Sequence, residues 1–176
     1  MAIQIGAKLD GGFDDPIGML KDCHRRIESF LRILCAVVDR AQNRGLTDEE
    51  RVAIQAALQY FRTGGQRHTV DEEESLFPRL RKSAADSLNE INRLEDDHCE
   101  ADKLHQSIER LYSTWIESGR LGSADTVQLL SKTARLKQLY SDHILVEETI
   151  VFARAVQVLD SHAIAAIGTE FRFRRK

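Results

Sequence analysis

The sequence predicts an all-α fold: an up-down-up-down four-helix bundle with a short C-terminal helix. Three observations carry this. Apolar residues recur at spacings of three and four along four long segments, the period of a buried helical stripe. Only 2 prolines interrupt 176 residues otherwise rich in Leu, Ala, Glu, Arg and Gln. The polar breaks between segments are short, which makes neighbouring helices antiparallel. At 20.0 kDa the chain suits one domain. We read an N-terminal extension at 1–14, the bundle domain at 15–170 and a basic tail at 171–176.

The first helix should start at Asp15, an N-cap followed by Pro16 at the first helical position, and end near Asn43-Arg44-Gly45. Its seam is Leu20, His24, Ile27, Leu31, Leu34 and Val38. Thr47-Asp-Glu-Glu50 is a capping box opening the second helix, whose seam runs Ile54, Leu58, Phe61, Gly65, His68, Glu72 and Leu76. Gly64-Gly65 in mid-helix predicts a bend, a bulge or a close helix approach. Beyond Pro78, residues 83–87 form a polar turn. The third helix runs to about Gly119 on Ile91, Leu94, His98, Ala101, His105, Ile108, Tyr112 and Trp115. Ser123 or Asp125 can cap the fourth, with Leu129, Leu136, Tyr140, His143, Glu147 and Ile150 inward. A short helix capped by Asp160 or Ser161 closes the chain.

Charge and composition exclude several classes. Net charge is −3 and the pI about 6.1, so there is no basic footprint for nucleic acid. No 18-residue apolar stretch suits a membrane, and the N-terminus lacks signal-peptide order, so a cytoplasmic location is expected. Arg172-Phe-Arg-Arg-Lys176 is expected as a solvated terminus. Cys23, Cys35 and Cys99 match no zinc or disulfide spacing. They read as small buried residues, or as thiols beside a metal pocket.

The functional information lies in an internal echo. His68-Thr-Val-Asp-Glu72-Glu73 with Phe77 returns as His143-Ile-Leu-Val-Glu147-Glu148 with Phe152, an offset of 75 (143 minus 68). His24 and His98 are offset by 74 (98 minus 24). The chain reads as two copies of one unit, a helix with a lone His and a helix with His-x3-Glu. All six residues occupy seam positions. An ionised carboxylate buried alone is very costly, and imidazoles compensate it only when protonated. A divalent cation neutralises the carboxylates and takes neutral imidazoles as ligands. His24, His68, Glu72, His98, His143 and Glu147 are therefore the expected metal ligands. Mixed nitrogen and oxygen donors suit iron or manganese, with zinc as an adventitious occupant.

At these residues the chain resembles the hemerythrin-like, or HHE cation-binding, family. The matches are His24 in Asp22-Cys-His-Arg-Arg-Ile-Glu28, the run from His68 to Pro78, His98 in Asp96-Asp-His-Cys-Glu100, and the run from His143 to Phe152. The resemblance implies two iron ions, with Glu72 and Glu147 bridging, His24 and His68 on one and His98 and His143 on the other. Oxygen-carrying members have a second His four residues after the helix-three ligand, where this chain has Asp102. Asp102 and His105 are the further candidate ligands. Glu73 and Glu148 are expected beside the ligands or in solvent, and Tyr140 as packing or as a group facing bound oxygen. The implied function is binding or sensing oxygen, peroxide or nitric oxide. The alternative is a di-iron or di-manganese peroxidase or catalase-like oxidoreductase. The partner implied is a small diatomic or peroxide; no protein partner is legible.

Overall fold

The computed structural model describes residues 12–41, 44–84 and 88–176. Among them 88% are helical and none lies in a strand, so the all-α class holds. Most of the extension read at 1–14, and Asn43 and residues 85–87 of the expected turns, lie outside the described residues.

The helical stretches group into five helices. Helix α1 spans Pro16–Arg40. Helix α2 covers 48–83 without a break and changes pitch along its length. Its α-helical parts Asp48–Tyr60, Gln66–Asp71 and Phe77–Ser83 are separated by π turns at Phe61–Gly65 and Glu72–Leu76. Helix α3 is Leu88–Ser118. Helix α4 covers 123–158, as Ser123–Val146, a π turn at Glu147–Val151, and Phe152–Val158. Helix α5 is Ser161–Phe173.

Local chemistry explains most boundaries. The Asp15 carboxylate accepts from the Gly18 N–H with Pro16 next in line, the Thr47–Glu50 capping box is complete in both directions, and Asp160 accepts from Ala163. The paired glycines at 64–65 end in a π turn, the expected bulge. Helix α1 stops at Arg40, earlier than expected. Neither Ser123 nor Asp125 caps α4: its N-cap is Gly122, with no side-chain hydrogen bond.

Helix α1 packs on α2 and α4, α3 packs on α4 and α2, and the last turns of α2 and α4 meet. Helix α5 lies against α1 and against the second π turn of α2. Gly168 permits this, because a Cβ there would collide with the Phe13 carbonyl.

Two apolar clusters form the core. One holds Ile27, Leu34, Ile54, Phe61, Ile108, Tyr112, Trp115 and Leu136. The other holds Leu20, Leu76, Phe77, Leu94, Val151, Phe152 and Phe171. Helices α1 to α4 each pass from one cluster to the other, and each carries a buried histidine at the crossing: His24, His68, His98 and His143.

Two expectations need correction. Ile150, expected inward, is exposed, and Val151 is buried in its place. The π turn inserts an extra residue into the helical repeat after Glu147 and rotates the following side chains off the α-helical register. The basic tail is solvated only in part: Arg172, Phe173 and Lys176 are exposed, but Arg174 and Arg175 are half-buried. Arg174 and Arg175 grip the fully buried Asp71 at 2.9 and 2.6 Å, and Arg174 also donates to Ser75 Oγ at 2.9 Å. Burying Asp71 requires such partners, and the last residues of the chain supply them.

Candidate metal centre

Both His-x3-Glu phrases run along α-helix and end at a π turn. His68 and Glu72, and His143 and Glu147, therefore share a face one turn apart, with imidazole-to-carboxylate distances of 3.4 and 3.3 Å. Directly after each glutamate the helix widens, and the Phe77 and Phe152 N–H groups donate five residues back to the Glu72 and Glu147 carbonyls. His24 Nε2 lies 3.0 Å from Glu147 and His98 Nε2 lies 3.5 Å from Glu72. All six side chains are buried.

Their donor atoms fall into two overlapping sets, His24, His68, Glu72 and Glu147, and Glu72, His98, His143 and Glu147. Within each set the atoms lie within 4.8 Å of one another. The two carboxylates belong to both sets. These atoms are close but not aligned as hydrogen bonds. Nε2 of all four histidines and both oxygens of Glu72 and Glu147 have no hydrogen-bond partner among the described residues. Convergent buried donors of this kind fit a divalent cation.

The outer ring of contacts is ordered by the repeat. Nδ1 of His98 meets Glu73 Oε1 at 2.8 Å, and Nδ1 of His24 meets Glu148 Oε1 at 2.8 Å. An ionised carboxylate only accepts, so these Nδ1 atoms donate and the Nε2 atoms are left facing the centre. Phe77 stacks on His98 (5.4 Å for its counterpart, Phe152 on His24, and 6.3 Å here), with ring planes within 8 and 10° of parallel for the His98 and His24 pairs. Each lone histidine is thus held by the Glu and Phe of the other copy's phrase. Asp97 Oδ2 lies 3.5 Å from His143 Nδ1, whereas His68 Nδ1 has no partner among the described residues.

Burial and the charge of Glu147 push Glu72 well above the usual carboxylate range. Burial also opposes ionisation of Glu147, but His143 and His24 outweigh it and hold that carboxyl well below the range. Burial, reinforced by His24, pulls His68 well below the usual imidazole value. A neutral imidazole is the form that ligates.

The remaining sequence candidates sit elsewhere. Asp102 is exposed and His105 is hydrogen-bonded to Tyr140 at 3.0 Å; neither belongs to the two donor sets. Cys23 is buried, Cys35 half-buried and Cys99 exposed, so a common buried role for the thiols fails at Cys99. Asp97 and Asp71 escaped the sequence reading. Asp97 has no echo, since its counterpart 74 residues earlier (97 minus 74) is Cys23. Asp71 has no partner nearby in sequence to mark its burial.

The hemerythrin HHE cation binding domain profile matches residues 15–155. The chain belongs to this family. An uncharacterized protein of Haemophilus influenzae is 28% identical over 164 residues, covering 93% of this chain and 92% of the relative. The HHE match spans both His-x3-Glu phrases and both lone histidines, the residues that form the two donor sets. A cation-binding domain of the hemerythrin type thus accounts for the unpaired polar layer between two apolar clusters. No helix among the described residues is long and apolar enough to cross a membrane.

Proposed function

We propose that this hemerythrin-like protein holds two iron ions and binds or senses a small oxidant or diatomic: oxygen, peroxide or nitric oxide. The observation that carries the reading is the pair of donor sets that share Glu72 and Glu147. His24 and His68 would hold one ion and His98 and His143 the other, with Glu72 and Glu147, which belong to both sets, serving both. Helix contacts support the up-down-up-down four-helix bundle as the frame, and a cytoplasmic location suits three cysteines with no disulfide.

Bound iron supplies redox and diatomic-binding chemistry. The chain's own residues do the rest. Glu73 and Glu148 keep the proton on Nδ1 of His98 and His24 and orient both rings. Phe77 and Phe152, both buried, exclude water from the outer faces of those rings.

A second reading, a di-iron or di-manganese peroxidase or catalase-like oxidoreductase, is favoured by one feature. Asp102 replaces the additional histidine of oxygen carriers and points to solvent, so the donor sets stay rich in carboxylate.

Metal content per chain, measured by plasma mass spectrometry on protein made in iron-supplemented medium without a metal-affinity tag, tests the proposal. About two irons per chain is the expected result for paired four-donor sets. Zinc, one metal or none would overturn it. A stable oxygen or nitric oxide adduct then favours binding or sensing, and steady-state peroxide loss favours the enzyme.

A further inference from the structure

The internal repeat is broken beside His143. Tyr140 lies one turn before that histidine, and its ring meets the His143 ring at 6.3 Å in a T-shaped contact. Its hydroxyl is 3.0 Å from His105 Nε2 on α3. Phe61 covers both, with ring centroids 4.4 Å from His105 and 6.4 Å from Tyr140. In the other copy of the unit, Gly65 (140 minus 75) and Leu31 (105 minus 74) occupy the matching positions. Metal binding alone asks for no such pair, since the first half has none. Tyr140 keeps part of its surface accessible although its hydroxyl is buried, and with Glu28, Arg32, Lys137 and Ser141 it lines a cavity of about 160 Å³.

We propose that Tyr140 and His105 form a proton-coupled redox pair that delivers one electron when the centre meets peroxide. This rests on the two-metal reading above. Hydrogen peroxide takes up two electrons and two protons and leaves as two waters. One electron comes from a bound ferrous ion and the other from Tyr140, while both protons come from solvent. The phenolic O–H bond breaks, its proton passes along the hydrogen bond to His105 Nε2, and a neutral tyrosyl radical remains. The imidazole is neutral and within hydrogen-bond reach at 3.0 Å; burial weakens it as a base, with its pKa lowered to about 4, but an oxidised phenol is acidic enough to give up its proton to it. The cavity edge of the ring lets a small donor in solution return the electron.

The test is freeze-quench electron paramagnetic resonance on the iron-loaded protein, reduced to the ferrous state under anaerobic conditions and then mixed with hydrogen peroxide. Metal content and the optical change of the iron are recorded on the same samples. A tyrosyl signal that changes shape with ring-deuterated tyrosine and vanishes in Tyr140→Phe is expected. His105→Leu should slow its appearance on the order of a hundredfold, as loss of a positioned proton acceptor would. In metal-free protein, the ¹⁵N shift of His105 should move in Tyr140→Phe, reporting the hydrogen bond independently of iron. Two irons that oxidise with no radical, or with a radical that survives in Tyr140→Phe, would overturn the pair and leave the metal centre standing. Absence of iron, or iron that peroxide does not oxidise, would remove the two-metal reading and the pair together.

Discussion

Glu73 on α2 holds Nδ1 of His98 on α3 at 2.8 Å, although the two residues belong to different copies of the internal repeat. Glu148 does the same for His24 across the other junction, also at 2.8 Å. The repeated double glutamate therefore divides its work. The first residue faces the centre, and the second aligns a histidine contributed by the other copy.

Glu73→Ala and Glu148→Ala should each weaken metal affinity about 10–100-fold, the usual cost of removing a group that orients a ligating histidine. Both glutamates are more than a third exposed, so the metal-free melting temperature should hardly move. Cobalt titration with parallel thermal melts separates the two quantities.

Glu72→Ala and Glu147→Ala should abolish loading of two metals, because each glutamate belongs to both donor sets. Metal should also raise the melting temperature of the unaltered protein, by an amount equivalent to about 2.7 kcal/mol at a hundred times Kd. That gain should shrink or vanish in either variant. Two tightly held metals in Glu72→Ala would contradict a shared ligand.

The tail predicts a mutation far from the site in sequence. Replacing Arg174 and Arg175 together by Ala leaves Asp71 fully buried without either guanidinium. A loss of about 3 kcal/mol or more is expected, as for other broken buried pairs. Asp71→Asn combined with the double change should recover part of it. Urea denaturation of the three proteins provides the comparison.

His105 makes the fold acid-sensitive. Burial lowers its pKa from 6.5 to about 4, so the unfolded chain takes up the proton first as pH falls. The stability from keeping it neutral is fully present above pH 6.5 and is lost as pH drops towards 4, with a size on the order of 2 kcal/mol given its partial exposure. The difference in unfolding free energy between the unaltered protein and His105→Leu, followed from pH 7 to 4, should narrow or reverse through that window. A constant difference would contradict it.

Thiol labelling should rank the cysteines by environment. Cys99 is exposed and should react fastest. Burial pushes the Cys23 thiol up to about 11, so near neutral pH it carries almost no thiolate and should react only on unfolding. Timed alkylation followed by peptide mass spectrometry reads this directly.

Seam periodicity in the sequence marked the helices, most caps and the six buried His and Glu residues, because an amphipathic helix writes its buried stripe in a local, fixed period. The same logic failed at Ile150, where a π turn shifts the register without any local marker. It also failed at Asp71, whose burial depends on arginines 103 and 104 residues away.

By itself the sequence determined an all-helical chain with two copies of a lone His followed by His-x3-Glu-Glu and a phenylalanine. It could not determine which copy each second glutamate and phenylalanine serve, since a repeat is the same read along the chain whether its halves pack within or across copies. Tertiary structure made that choice. It set α2 beside α3 and α4 beside α1 at the level of the histidines, placing Glu73 and Phe77 on His98, and Glu148 and Phe152 on His24. Contacts between helices depend on the direction and register of distant segments, and local periodicity carries neither.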